Sequence, residues 1–119
     1  MKFTIDQALQ KAIEAHKAGR IQDADRLYTA ILRVQPNHPH ANHNLGILAV
    51  VVGEVKKALP FLRTALEANS SIAQFWLSYI DALIKLDKFD EAKAMLDQAK
   101  TRGAKNSEAT IARRTFTAR

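Results

Sequence analysis

The stretch that decides the fold is Pro39 to Ile72, PHANHNLGILAVVVGEVKKALPFLRTALEANSSI. It reads as helix, short turn, helix, with a weaker copy of itself on either side. A shift of 34 residues superposes Gly19, Gly53 and Asp87, then Ala24, Ala58 and Ala92, then Tyr28, Leu62 and Leu96. A fixed period of that length is the pattern of stacked helical hairpins. The expected fold class is therefore all-α, a stacked array of three helix-turn-helix hairpins.

Within the quoted stretch the spacing predicts one helix over Asn42 to Val52 and another over Val55 to Ala68. LGILAVVV taken alone could be a buried strand, because three valines are poor helix formers. The repeat register decides for helix. Gly46 falls where two backbones must approach closely, and Pro60 costs the second helix a hydrogen bond or a slight bend. Working outward, the first unit spans about residues 5–38. Asp6 can cap a helix carrying Ala8, Leu9, Ala12, Ile13 and Ala15; Gly19 ends it, and Ala24, Leu27, Tyr28, Ile31 and Leu32 line its partner. Pro36 stops that second helix. The third unit, about 73–104, carries Phe75, Trp76, Tyr79, Ile80 and Leu83, then Phe89, Ala92, Met95, Leu96 and Ala99 after an Asp87-Lys88 turn. Aspartate tolerates the left-handed geometry better than most residues. Residues 105–119 do not continue the pattern and are expected to form a basic capping helix or tail.

Composition narrows the class. Of 119 residues 47% are hydrophobic, enough for one packed core, and the absence of cysteine excludes disulfides and thiolate metal sites. The N-terminus lacks the unbroken apolar core of a signal peptide. The longest apolar run, Leu45 to Val52, is far short of the ~20 residues that span a bilayer. A soluble cytoplasmic protein is expected. The net charge of +6 is local: from Lys100 onward six cations face Glu108 alone, which leaves residues 1–99 at +1. A body so nearly neutral offers no footprint to a phosphate backbone.

These residues resemble the tetratricopeptide repeat family, in the form of a bacterial-type array. The middle copy supplies Leu45, Gly46, Gly53, Ala58, Leu62 and Ala65 to the family pattern. The first supplies Ala12, Gly19, Ala24, Tyr28 and Pro36; the third supplies Trp76, Tyr79, Leu83, Ala92, Leu96 and Ala99. Asn42 stands where an aromatic is usual, Ala15 and Ala49 where a large residue is, and Ile31 where alanine is. The resemblance covers about residues 5–104. It implies a right-handed superhelix whose concave face is lined by the first helix of each pair, and a non-enzymatic scaffold that binds a peptide or partner protein. Stacking is required physically as well, since a lone hairpin cannot bury its apolar side.

The inner positions of the family then point to a groove built on Leu9, Ile13, His43, Asn44, Ile47, Val50, Leu77, Asp81 and Ile84. Its centre is apolar, and a contiguous apolar strip on a soluble protein usually marks a contact site. One subset of the family clamps carboxylates with Lys and Asn side chains and an Arg. The matching positions here are Leu9, Ile13, Asn44, Gln74 and Ser78, of which only Asn44 fits, so binding of that type is not expected. His38, His40 and His43 form H-x-H-x-x-H, which three imidazoles could turn into a metal site. They straddle a loop and a helix start with no carboxylate or thiol beside them, and ordinary surface and groove roles are the better reading. No metal or cofactor is expected. No phosphate loop and no Ser/His/Asp grouping appears. Acid pairs such as Asp90-Glu91 sit at helix starts, where they favour the dipole. Three rival roles remain open: an accessory segment of a larger bacterial glycosyltransferase or sulfotransferase, a self-associating oligomerisation module, and nucleic-acid or membrane binding through the basic tail.

Overall fold

The structure, a computed structural model, describes residues 3–102. The expected capping helix or tail at 105–119 lies outside the described residues. All regular structure among the described residues is helical: α1 (Ile5–Lys17), α2 (Ile21–Val34), α3 (Pro39–Val51), α4 (Val55–Ala68), α5 (Ala73–Lys85) and α6 (Phe89–Arg102). The helices starting at 5, 39 and 73 have 13 residues each, and those starting at 21, 55 and 89 have 14 each. The period of 34 is thus reproduced in both sets of helix starts. Each helix packs on its neighbours in the chain, and α3 also touches α5. The protein is an all-α helical-repeat solenoid.

The turns within the hairpins are chemically one motif. Gly19 and Gly53 take φ of +79° and +87°, and Asp87 takes +60°. In each, the next residue's N–H reaches back five residues: Arg20 to Ala15 O and Lys88 to Leu83 O at 2.8 Å, Glu54 to Ala49 O at 2.8 Å. This left-handed closure satisfies carbonyls that the helix end would otherwise orphan.

Helix starts are less uniform. Thr4 rather than Asp6 caps α1, in a reciprocal box with Gln7: the Gln7 N–H donates to Thr4 Oγ1 at 3.1 Å and the Thr4 N–H to Gln7 Oε1 at 3.0 Å. Helix α3 begins at Pro39, three residues before the expected Asn42, because His38 Nδ1 accepts from the Ala41 N–H at 3.1 Å and proline suits the first helical turn.

Two clusters make the core. The first joins Ala8, Ala12, Ala15, Ala24, Tyr28 and Ile31 to Ala41 and Leu48 of α3. The second joins α4, α5 and α6 through Leu62, Leu66, Phe75, Trp76, Tyr79, Leu83 and Leu96. Gly46 lets α4 close on α3, since a Cβ there would stand 2.7 Å from Leu62 Cδ2. In α3 and α5 the stacking face is apolar, with Leu45 and Leu48 in one and Tyr79 and Ala82 in the other. The same register positions in α1 hold the exposed Lys11 and Glu14, so the outer side of α1 is polar and solvated.

The connectors between hairpins are tied down at equivalent points by different chemistry. Asn42 Nδ2 donates to Pro36 O at 3.0 Å, and Trp76 Nε1 donates to Ser70 O at 2.8 Å. Each donor reaches back six residues. Asn42 therefore keeps the side-chain N–H that the register needs while giving up aromatic bulk.

Candidate functional site

Helices α3 and α5 run side by side because their register positions are one period apart. Between them lies an open concavity of about 390 Å³ lined by Ile47, Val50, Gln74, Leu77, Ser78, Ile80, Asp81 and Ile84. Five of the nine expected groove residues, Ile47, Val50, Leu77, Asp81 and Ile84, meet there. Ile47, Val50 and Leu77 are half-buried against the second core, whereas Ile84 is 42% exposed. Asp81 is exposed and paired with Lys85 at 3.0 Å.

The other four sit differently. Leu9 is half-buried against the first core, and Ile13 lies half-buried on the same helix; neither lines the concavity. His43 is buried and does not present its ring to the groove. It stacks on Phe75 with ring centroids 4.7 Å apart, and its Nε2 lies 2.7 Å from Ser78 Oγ. Its Nδ1 lies 3.2 Å from Asn44 Oδ1. An amide oxygen only accepts, so Nδ1 carries the hydrogen and Nε2 accepts from the Ser78 hydroxyl. Gln74 Nε2 in turn donates to Ser78 Oγ at 3.2 Å. Burial pushes the His43 pKa down; Asn44 pulls it back up, and nearby His40 lowers it further.

Asn44 also stands beside the Tyr28 hydroxyl without a well-formed hydrogen bond to it. That buried oxygen has no partner in place among the described residues. Burial raises the phenol's pKa, with Asn44 as the opposing influence.

Sequence reasoning passes over the His43–Ser78 pair, because its members are 35 residues apart. The repeat offers the missing signal: one period plus one residue places them on facing sides of adjacent first helices. The pair has a nucleophile's geometry without its surroundings. Ser78 is the sixth residue of α5, where backbone N–H groups are committed to the helix, so its own helix offers it no backbone oxyanion cradle. The three histidines of H-x-H-x-x-H have separate tasks. His38 caps α3, His40 is exposed with its ring edge-on 5.5 Å from Phe75, and His43 joins two repeats.

Two tetratricopeptide repeat profiles match the sequence, one over residues 9–73 and the other over 52–113. The chain belongs to the tetratricopeptide repeat family. Repeats of this family are in general protein-interaction modules rather than catalysts. Among solved structures, the MamA protein of MSR-1 is 26% identical with a TM-score of 0.69, over 80% of this chain and 55% of that one. The TPR2B domain of yeast Sti1, in complex with pHsp70, is 18% identical with a TM-score of 0.82, over 95% and 90%. The second repeat domain of Spaghetti (RPAP3), bound to the HSP90 peptide SRMEEVD, is 16% identical with a TM-score of 0.72, over 78% and 86%. The chain spans about half the length of the MamA structures it matches. No curated protein matches the sequence. Among the described residues of this tetratricopeptide array, no helix is long and apolar enough to cross a membrane.

Proposed function

We propose that the concavity between α3 and α5 receives an apolar anchor from a peptide or partner protein, and that the chain serves as a non-enzymatic interaction scaffold. The observation that carries this reading is that Ile47, Val50, Leu77 and Ile84 share one open concavity on a family whose members bind proteins. An apolar patch left in contact with water is a standing cost unless something covers it. Gln74 on its edge can hydrogen-bond an incoming backbone through its amide oxygen, and Lys85 is engaged with Asp81. Leu9 and Ile13 extend the surface along α1 as a secondary contact, in three repeats at about 5–38, 39–72 and 73–104.

The HSP90 peptide held by the RPAP3 domain ends in acidic residues. The positions here that correspond to a carboxylate clamp hold Leu9, Ile13, Asn44, Gln74 and Ser78, with no cation among them. An apolar anchor suits this groove better than a pair of carboxylates.

The test is a peptide library selected on the wild-type protein, with binding of the selected peptides read by fluorescence anisotropy. Ile84→Asp and Val50→Lys are expected to weaken them by about tenfold or more, the effect of placing a charge in an apolar contact. Helical content should be unchanged. Peptides that bind both variants as tightly as wild type sink the reading, and so do variants that unfold, which would make these residues core. Light scattering on dilution separates a second copy of the chain from a foreign partner.

A further inference from the structure

The two junctions between hairpins each open a second, outer fissure on the side of the even-numbered helices. In register the two fissures share three lining positions: Thr29 and Arg63, Leu45 and Tyr79, Phe61 and Met95. The first fissure, about 250 Å³, has Thr29 and Leu45 there and is mainly apolar. The second, about 380 Å³, has Arg63 and Tyr79, with Leu66, Trp76 and Met95 beside them. It shares no lining residue with the α3–α5 concavity.

Arg63 is exposed but held in place. Its Nε and Nη2 donate to the Tyr79 hydroxyl oxygen at 3.0 and 2.9 Å, and the guanidinium carbon lies 5.8 Å from the Tyr79 ring centroid. A phenol oxygen is a neutral acceptor, so this arrangement orients the cation without neutralising it. Among the described residues Arg63 makes no ion pair; Glu67 and Glu91 act on it only at longer range. A guanidinium has five N–H donors. Tyr79 takes two of them, which leaves three. Because the Tyr79 oxygen is accepting, its own hydrogen is left to donate, and no acceptor is in place for it among the described residues.

We propose that this fissure is a binding site for an acidic side chain of a partner polypeptide, its carboxylate on Arg63 and Tyr79 and an adjacent apolar side chain on Leu66 and Met95. Planar guanidinium and planar carboxylate fit through paired hydrogen bonds, and a guanidinium already fixed by Tyr79 loses less freedom when it binds. The cavity is larger than a carboxylate, and Leu66, Trp76 and Met95 line it alongside Glu67, Ser70 and Gln98, which leaves room for a neighbouring apolar group. Glu67 on the rim opposes a dianion, so one carboxylate is favoured over phosphate. The site is independent of the groove reading.

The experiment titrates acetyl-Leu-Glu-amide, acetyl-Leu-Gln-amide and inorganic phosphate separately into the full chain. It follows the Arg63 Nε–H and Trp76 Nε1–H resonances by NMR; Trp76 is the sole tryptophan and lines the fissure. The Leu-Glu probe is expected to shift both resonances saturably by about 10 mM, with the Leu-Gln probe at least about tenfold weaker. Arg63→Met should abolish the Trp76 response, and Tyr79→Phe should weaken it several-fold. Arg63→Lys, which keeps the charge but not the fork, should fall between. The groove variant Ile84→Asp should leave the response unchanged, so failure of this site and failure of the groove are told apart. No shift with the Leu-Glu probe, an equal response to Leu-Gln, a response retained in Arg63→Met, or saturation by phosphate at the same concentration each overturns the proposal.

Discussion

The junction between the first and second hairpins and the junction between the second and third are built on one register from different materials. At the first, alanines dominate the contact, the connector is tied by Asn42, and the Tyr28 hydroxyl is buried without a partner in place among the described residues. At the second, Phe75, Trp76, Tyr79, Leu62 and Leu66 supply large buried surfaces, and polar atoms are paired: Trp76 to Ser70, Arg63 to Tyr79, His43 to Ser78. Hydrophobic stabilisation scales with apolar area buried, and an unpaired buried hydroxyl subtracts from it. The second junction is the stronger, and both candidate sites are set into it. Sites set on rigid, well-packed elements hold their geometry most closely.

The sharpest way to break this contrast is to remove the two equivalent connector ties. Trp76→Ala takes away a buried indole and is expected to cost about 3–5 kcal/mol, the range for a large aromatic truncated in a core. Asn42→Ala strands only polar atoms and is expected to cost about 1–3 kcal/mol. Urea unfolding followed by circular dichroism measures both. Equal losses would show that the junctions do not differ as described.

A smaller effect comes from pH. His43 and His38 both have pKa values lowered mainly by burial, with His40 adding to both; Asp6 opposes at His38 and Asn44 at His43. Among the described residues the groups that face His43 are His40 and Asn44 on its own helix and Phe75 and Ser78 on α5, with Gln74 bonded to Ser78, and no carboxylate hydrogen-bonds to it. Above the ordinary histidine pKa of about 6.5 both states are neutral and stability is at its full value. As pH falls below that, the unfolded chain takes up a proton that the folded chain resists, so stability declines until the lowered folded pKa is passed. Melting temperatures between about pH 7 and 5 should fall, and His43→Gln should flatten the decline more than His38→Gln. An unchanged slope in His43→Gln would place the titration elsewhere.

The smallest effect separates the junctions in the opposite direction. Tyr28→Phe removes a buried hydroxyl that has no partner among the described residues, and stability is expected to hold or rise by up to about 1 kcal/mol. A loss of more than that would mean the hydroxyl is satisfied by Asn44 in solution, and that the first junction is better built than its geometry indicates.

Much of the architecture was legible in the chain because helical repetition is a local property written three times. Gly19, Gly53 and Asp87 mark the turns whichever helices surround them, since only residues tolerant of left-handed backbone close a helix that way. The Val50–Val52 run misleads when read alone and is corrected by its copies. The α1 cap was missed at Thr4, because Asp6 is an equally good cap by residue type and only the hydrogen bonds decide. The candidate groove was legible in part: Ile47, Val50, Leu77, Asp81 and Ile84 meet as the register requires. His43 did not follow, because a polar residue at an inward position can turn toward a neighbouring helix as readily as toward water.

What the sequence determined by itself is the period, the six helices, their turns and their membership in a repeat family, all of which depend on neighbours no more than one hairpin away. What only the tertiary structure decided is which side chains meet across hairpins: His43 with Ser78, Arg63 with Tyr79, and the Tyr28 hydroxyl with no partner in place among the described residues. Periodicity assigns a residue to a face of its helix. Whether that face ends against water, a ring or a hydroxyl depends on the distance and tilt between stacked hairpins, and those follow from side-chain volumes summed over the whole interface.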